Sequence, residues 1–154
     1  MLGLDPGSRY TGWGLLVGNA RTASVLGCGR LSPRRGAARP AALASLALQL
    51  EELLARLDPD VVAVESLFTA RFPQSALALA ETRGALIAAL GRWGGPVHEY
   101  APARVKAAVV GLGRAEKQQV AFIVRQALNL SEMPPPDAAD ALAVALCHLR
   151  QASP

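Results

Sequence analysis

The feature that most constrains the fold is the apolar run Val61-Val62-Ala63-Val64, which ends at Glu65. Successive side chains of a strand point to opposite faces, so this run indicates a strand that is buried on both sides. Such a strand lies inside a sheet that carries helices on both faces. We therefore expect an α/β fold with this run in the interior of its sheet.

The elements predicted around this run specify a mixed sheet. Three strands come first, at 2–4, 11–17 and 23–31, and the turn signals between them predict hairpins. Helices and strands then alternate, which is typical of parallel pairing. The other predicted elements are helices at about 41–57, 74–90, 103–110, 116–128 and 137–150, and a strand at 96–100. The sequence thus predicts a mixed five-stranded sheet flanked by helices, in a single domain spanning residues 1–154.

Composition excludes several classes of protein. The 154 residues are 51% hydrophobic and 18% charged, which argues against disorder. The apolar stretches are too short to cross a bilayer, and Asp5-Pro6-Gly7 interrupts any signal-like core, so we expect a cytoplasmic protein without a membrane partner. Cys28 and Cys147 lack metal-ligand spacing and indicate buried, reduced thiols. His98 and His148 indicate structural histidines, with no zinc cluster around them.

Four carboxylates, Asp5, Glu65, Asp137 and Asp140, stand where acids have no packing purpose. Asp5 and Glu65 end strands, while the other two open an apolar helix and lie one turn apart on one face. If the strands are neighbours and the helix packs against their ends, all four converge. Like charges so close require a counter-ion, and carboxylate oxygens suit a divalent cation such as magnesium. The plain alternative is a helix cap with ordinary strand-terminal acids.

The basic residues indicate a polyanionic substrate. The net charge is +4 even though four acids are reserved for one cleft, and a basic surface around such a cleft suits nucleic acid. Lys106 and Lys117 are the only lysines among sixteen basic residues. We expect them to neutralise charge near the reacting phosphate, with a solvated helix surface as the alternative. Arginines 30, 34, 35 and 39 either follow a DNA arm or only aid solubility.

Seven short motifs extend along the chain from Leu2 to about His148. They are Leu4-Asp5-Pro6-Gly7-Ser8, Val64-Glu65-Ser66-Leu67-Phe68, Ser75-Ala76-Leu77, Arg83-Gly84, Val109-Val110-Gly111-Leu112-Gly113, Ala115-Glu116-Lys117-Gln118-Gln119-Val120 and Asp137-Ala138-Ala139-Asp140-Ala141-Leu142-Ala143. In this order and spacing they resemble the bacterial RuvC family of Holliday junction resolvases. A single Asp-Pro-Gly-Ser would be weak evidence, but the ensemble is highly specific.

The resemblance implies a ribonuclease H-like fold and a homodimer that nicks four-way DNA junctions, leaving 5′-phosphate and 3′-hydroxyl ends. It implies two magnesium ions per site, with manganese as a possible substitute, and metal-activated water as the nucleophile. Whether the RuvA–RuvB branch-migration complex hands over the substrate stays open. The catalytic residues that it implies are the metal-binding acids Asp5, Glu65, Asp137 and Asp140 and the basic residues Lys106 and Lys117.

The DNA contacts rest on weaker matches. Phe68 matches a family aromatic that contacts junction bases, where it would stack on an unpaired base, with a core aromatic as the alternative. The other candidates are Arg71, Phe72, Arg104 and Arg114, each with an ordinary surface or packing role as the alternative. The chain departs from the family pattern where Phe72 and Pro73 replace the usual Asn, and in its short first strand, which indicates a trimmed or compact start.

Other functions fit parts of the sequence. The Asp5-Pro6-Gly7-Ser8 turn with Thr11-Gly12 resembles the phosphate-binding hairpin of actin-like and sugar-kinase ATPases, but those enzymes need two such domains. A non-catalytic junction-binding module would not need the four acids. A nuclease of the same fold that cuts flaps or hybrids would keep them. The alanine-rich helix at 74–90 suits either a dimer face or internal packing, and a two-fold dimer would match the near two-fold symmetry of a junction.

Overall fold

The computed structural model describes residues 1–7, 9–66 and 73–152. Within these ranges the chain forms β1 (Leu2–Pro6), β2 (Thr11–Gly18), β3 (Ala23–Leu31), α1 (Arg39–Leu57), β4 (Val62–Glu65), α2 (Pro73–Trp93), β5 (Val97–Tyr100), α3 (Pro102–Val110), α4 (Lys117–Ala127) and α5 (Pro136–Ala152). This is the predicted order of elements. The largest difference in length is at α2, which continues to Trp93 before Gly94 turns the chain with a positive φ.

The five strands form one mixed sheet in the order β3-β2-β1-β4-β5. Strands β1, β2 and β3 are antiparallel neighbours, whereas β4 is parallel to both β1 and β5. The predicted mixed five-stranded sheet is therefore confirmed. Val62, Ala63 and Val64 are fully buried, as expected for an interior strand that is covered on both faces.

Helices cover both faces of the sheet. Helices α1 and α2 pack on one face, where Leu2 and Leu4 join the leucines of α1 in one cluster. Helices α3, α4 and α5 pack on the other face, and Ala63 belongs to that second cluster. The sheet is therefore the middle of three layers, and adjacent residues of β1 and β4 serve different cores.

Helix α5 lies in direct backbone contact with β1 and β2, because the strands present glycine where it crosses them. A Cβ atom added to Gly12 would overlap the carbonyl oxygen of Asp137, and one added to Gly3 would overlap that of Ala141. At Gly14 an added Cβ would lie 2.6 Å from Cδ2 of Leu142. No side chain separates the start of α5 from the sheet at these glycines. The distance between the helix axis and the sheet is therefore set by backbone contact.

Other expectations have a simpler outcome. No helix among the described residues is long and apolar enough to cross a membrane. Cys147 is buried, and burial raises the pKa of its thiol to about 11. Cys28 is only half-buried, against the expectation for both thiols, because it lies on β3 at the edge of the sheet.

The contact at Gly12 predicts that Gly12→Ala destabilises the fold. The new methyl group would overlap backbone atoms, which cannot move aside by a change of rotamer as a side chain can. We therefore expect the free energy of unfolding, measured by urea denaturation, to fall by about 1–3 kcal/mol. Gly27→Ala is the matched control, since its Cβ would meet the Trp13 ring at 3.5 Å, an ordinary contact. Equal losses in the two variants would contradict the close packing of α5.

Candidate active site

Two carboxylates meet at one edge of the sheet. Strands β1 and β4 are parallel neighbours with Leu4 opposite Val64, so Asp5 and Glu65 each follow that pair by one residue. Their carboxyl groups share a hydrogen bond. The strand-end convergence that the sequence predicts for these two acids is therefore present in the structure.

The start of α5 brings two further acids to the same edge. Pro136 occupies the first turn, where a missing N–H is harmless, and the Ala139 N–H donates to the Pro135 carbonyl at 2.8 Å. Asp140 acts electrostatically on both Asp5 and Glu65, and Asp137 acts on Asp5. All four predicted acids therefore belong to one charged cluster, in which Asp137 has the weakest influence.

The cluster is short of positive charge. Burial, followed by the neighbouring Asp5 and Asp140, raises the pKa of Glu65 to about 8 from an ordinary 4.5. Burial also raises the pKa of Asp5. Buried carboxylates that share a site cannot all ionise, so Glu65 holds the shared proton near neutral pH when no cation is bound.

Lys117 supplies part of the missing charge. Its Nζ atom donates to Oδ2 of Asp140 at 2.7 Å, and this hydrogen bond raises the pKa of Lys117. The backbone of Lys117 is fixed as the first residue of α4 by a capping box between Glu116 and Gln119. Its side chain is 80% exposed, and ion pairs so exposed are weak enough to open for another partner.

Lys106 faces the same space from α3. A cavity of about 160 Å³ is lined by Glu65, Pro102, Val105, Lys106, Lys117, Val120, Asp140 and Ala143. Both lysines of the chain therefore line the same cavity as Glu65 and Asp140. Their apolar neighbours in the lining lower the local polarizability, which strengthens electrostatic interactions inside the cleft.

The donor set suits a hard divalent cation, because every candidate ligand is a carboxylate oxygen. As the side chains stand, no three His, Cys, Asp or Glu residues of the described ranges are arranged to hold one ion. The proton on Glu65 and the ammonium of Lys117 occupy the role that a cation would fill. The residues fit a metal by chemistry once that proton leaves and the ion pair between Lys117 and Asp140 opens.

Comparison with known proteins identifies the family. The family model described as crossover junction endodeoxyribonuclease RuvC matches residues 1–148. The chain belongs to the RuvC family. Relatives of that name include one from Citrifermentans bemidjiense, 45% identical over 99% of this chain and 93% of the relative. Another, from Alkalilimnicola ehrlichii, is 47% identical over 99% of this chain and 92% of the relative.

Solved structures agree with this result. The T. thermophilus RuvC in complex with a Holliday junction substrate is 35% identical, with a TM-score of 0.90 over 98% of this chain and 93% of that one. The yeast mitochondrial Holliday junction resolvase Ydc2, at 16% identity and a TM-score of 0.69 over 97% of this chain and 78% of that one, supports the fold alone. The resemblance and the ribonuclease H-like fold are thus confirmed, and the RuvC family is one of metal-dependent nucleases.

The candidate DNA contacts are placed less uniformly in this RuvC family member. Phe68, Arg71 and Phe72 lie outside the described residues. Arg104 and Arg114 are both exposed, and neither lines the acidic cavity. The side chain of Arg104 instead lies 5.9 Å from the centre of the Tyr100 ring.

The other notable side chains have structural partners. Among the four loop arginines, Arg39 begins α1 and pairs with Glu81 of α2 at 2.7 Å, which makes it a link between helices. The interpretation of His148 as structural fits its burial, with Nδ1 2.8 Å from the Tyr100 hydroxyl oxygen. His98 is exposed, and its ring centroid lies 4.7 Å from that of His148.

Sequence reasoning missed the glycines that position α5. Gly12 and Gly14 alternate on β2, and Gly3 stands opposite Gly14 on β1. Alternation of period two places all three on one face of the sheet. That spacing, within a sequence that already predicted a strand, was the available signal for a helix that packs closely against it.

The pKa of Glu65 predicts how the metal-free protein responds to pH. The fold holds a proton that the unfolded chain releases, so the free energy of unfolding should fall as pH rises from about 4.5 to about 8. Urea unfolding in a chelator at several pH values across this window measures the decline. Glu65→Gln should flatten it, whereas Glu52→Gln, on the exposed face of α1, should behave as wild type. Parallel curves for wild type and Glu65→Gln would contradict the shared proton.

Proposed function

We propose that this protein resolves four-way DNA junctions by hydrolysing phosphodiester bonds in the acidic cleft. One observation carries the proposal: Glu65 and Asp140 line one cleft together with both lysines, and Asp5 interacts with both of these acids at the sheet edge. The substrate is supported by similarity to the T. thermophilus RuvC, which was solved with a Holliday junction. A non-catalytic binding module would have no need for carboxylates held together against their repulsion.

The four acids Asp5, Glu65, Asp137 and Asp140 would hold the divalent cations, two magnesium ions in our proposal, with manganese as a substitute. When bound, these ions would activate water and stabilise the departing 3′ oxygen. The carboxylates set where positive charge collects, and the close approach of α5 sets the width of the cleft. Glu65 must give up its proton for the full ligand set to form, so occupancy of the site is linked to pH.

Lys106 and Lys117 would act on the scissile phosphate itself. Lys117 already directs its ammonium group to Oδ2 of Asp140, and exchanging that partner for a phosphate oxygen needs only side-chain rotation. Lys106 approaches the same cavity from α3. A preorganised cation at this position stabilises charge that develops on the phosphate. Phe68, Arg71, Phe72, Arg104 and Arg114 remain proposed DNA contacts.

The protein would act as a homodimer through the outer face of α2. Leu77, Ala80, Gly84, Ala88 and Gly91 are all exposed and recur at intervals of three or four residues, so they form one stripe. Ala89, by contrast, is fully buried in the core. The alanines of α2 therefore divide between internal packing and a face of small residues suited to a second copy. A two-fold dimer would present one cleft to each of two opposite strands.

A substrate comparison tests the function. With magnesium, the wild type should nick a mobile four-way junction faster than a flap, a linear duplex or an RNA–DNA hybrid. Asp5→Asn and Asp140→Asn should each reduce nicking by roughly 10²–10³-fold or more, because charge stabilisation at the reacting phosphate is lost. Junction binding should stay largely intact, and Glu52→Gln serves as the control. Full nicking by either aspartate variant would refute the role assigned to that residue.

The lysines should differ from an arginine outside the cleft in the same assays. Lys117→Ala and Lys106→Ala should lower the rate of nicking more than the affinity for the junction. Arg114→Ala should lower affinity with little effect on the rate of the bound complex. If either lysine variant loses affinity alone, that lysine is a backbone contact and has no part in the chemistry.

The dimer face predicts that Gly84→Arg yields a monomer. Apart from the adjoining helix backbone, no atom of the described residues lies within 4 Å of a Cβ at Gly84. The larger side chain should therefore leave the protomer folded and obstruct only a second copy. Light scattering coupled to size exclusion would show the halved mass. Ala44→Arg, on the exposed face of α1, should remain dimeric. An unchanged mass for Gly84→Arg would place the interface elsewhere.

A further inference from the structure

An arginine and a tyrosine form a stacked pair beside the acidic cleft. The guanidinium carbon of Arg30 lies 4.3 Å from the centre of the Tyr10 ring. Arg30 is exposed, and within the described ranges its guanidinium has no carboxylate or other hydrogen-bond acceptor as a partner. The Tyr10 ring therefore contacts the face of the Arg30 guanidinium, and the N–H groups at its edge are free to bind another hydrogen-bond acceptor.

The sheet register places this pair close to the catalytic acids. Asp5 stands opposite Gly12 in the β1–β2 ladder, and Gly12 stands opposite Arg30 in the β2–β3 ladder. Directly opposed residues of antiparallel strands share a face and lie ~4.5–5.5 Å apart, so the Cα atoms of Arg30 and Asp5 are about 10 Å apart. Both residues belong to the face covered by α5, which begins over Gly12.

The pair lies on the opposite side of the acids from the lysines. Lys106 and Lys117 line the cavity next to Glu65 of β4, whereas Arg30 is on β3, at the other end of the strand order. A DNA strand that crosses the acids therefore has a cationic group on each side. Only the lysine side is accounted for by the proposed chemistry.

The backbone that carries the Tyr10 ring is held in the turn between β1 and β2. The Gly7 N–H donates to the Tyr10 carbonyl at 3.0 Å across the turn between β1 and β2, and the Tyr10 side chain is half-buried. A guanidinium that stacks on an aromatic face keeps its donors in one plane, where they match two phosphate oxygens. Lysine in place of Arg30 would keep the charge and lose this geometry.

We propose that Tyr10 and Arg30 form a second phosphate-binding site, which holds the backbone of the cleaved strand on the β3 side of the acids. The inference rests on the proposed function. A DNA strand carries one phosphate per ~3.4 Å of helix axis, so the contacted phosphate would lie about one to three positions from the scissile one. Arg30 is then a positioning residue that fixes the register of the strand across the cleft.

Binding without cleavage tests this site. Fluorescence anisotropy of a labelled four-way junction in chelator, over a series of salt concentrations, gives affinity and salt slope. Arg30→Ala should weaken binding about tenfold and reduce the slope by about 0.9 per protomer bound, as expected for one lost phosphate contact. Arg21→Ala is the matched control, because it removes the same charge from the exposed turn at the far end of the β2–β3 hairpin. It should change neither quantity.

Further variants separate the stacked geometry from charge alone. Tyr10→Phe keeps the ring and should bind as wild type, whereas Tyr10→Leu and Arg30→Lys should each lose part of the affinity that Arg30→Ala loses. Methylphosphonates placed singly at the three phosphates on each side of the mapped cut should then locate the contact. At one position the neutral linkage should weaken the wild type about tenfold and leave Arg30→Ala unaffected.

The possible outcomes distinguish a phosphate-binding site from a purely structural role of the Tyr10–Arg30 pair. If Arg30→Ala changes affinity and slope no more than Arg21→Ala does, the pair only stiffens the hairpin and the inference is overturned, even if cleavage of junctions proceeds as proposed. A loss in Arg30→Ala that no single methylphosphonate reproduces would also overturn it, because the effect would be one of general charge. A wild type that fails to bind junctions would remove the proposed function and this site together.

Discussion

The backbone contact between α5 and the two central hairpin strands is the constraint on which the site depends. At Gly12 and Gly3 the strands offer no side chain, so the carbonyl oxygens of α5 rest directly on the sheet. Asp140 projects from this helix one turn beyond Asp137, toward strand ends that carry Asp5 and Glu65. Any residue with a Cβ at Gly12 would raise the helix, and the carboxylates would then separate. The packing of small residues and the convergence of charge are thus one structural feature.

That convergence works against the stability of the fold, and the structure offsets it in two ways. A proton shared between Asp5 and Glu65 removes one negative charge, and Lys117 pairs with Asp140. The shared proton can leave near neutral pH. The ion pair between Lys117 and Asp140 can open at the cleft surface, because the Lys117 side chain is largely exposed. A deeply buried salt bridge would be harder to open, because removing one partner leaves the other charge buried and unpaired. The cleft instead keeps its counter-charges exchangeable, as the proposed binding of cations and phosphate would require.

Much of this could be predicted from sequence, because the deciding patterns are local. The apolar run at Val62–Val64 requires burial on both faces, and the positions of Asp5 and Glu65 at strand ends follow from strand length alone. The spacing of Asp137 and Asp140 places them on one helix face. The stacking of Arg30 on Tyr10 was beyond reach, since it depends on the register between β2 and β3. Cys28 was misjudged for a related reason: a strand pattern does not say which strand lies at the edge.

The division of α2 between two roles shows the same limit. Ala89 and Ala88 are adjacent and chemically identical, yet one is fully buried in the core and the other is exposed. Composition identified a helix rich in small residues. Which of its alanines are exposed to solvent, however, depends on where α1 packs against it. Arg39 is another example, because its partner Glu81 lies 42 residues away in the sequence.

The acids of the cleft come from three distant segments, and the last of these is α5, which follows every other described element in the chain. During synthesis, therefore, a ribosome-bound chain that has folded its sheet and first helices still has half of its carboxylates missing. In the proposed mechanism, the site for cutting DNA forms only after Asp140 has left the exit tunnel and α5 has packed against its glycines. Under the proposed function, partial products of translation or proteolysis that lack this helix would therefore be unable to cut DNA.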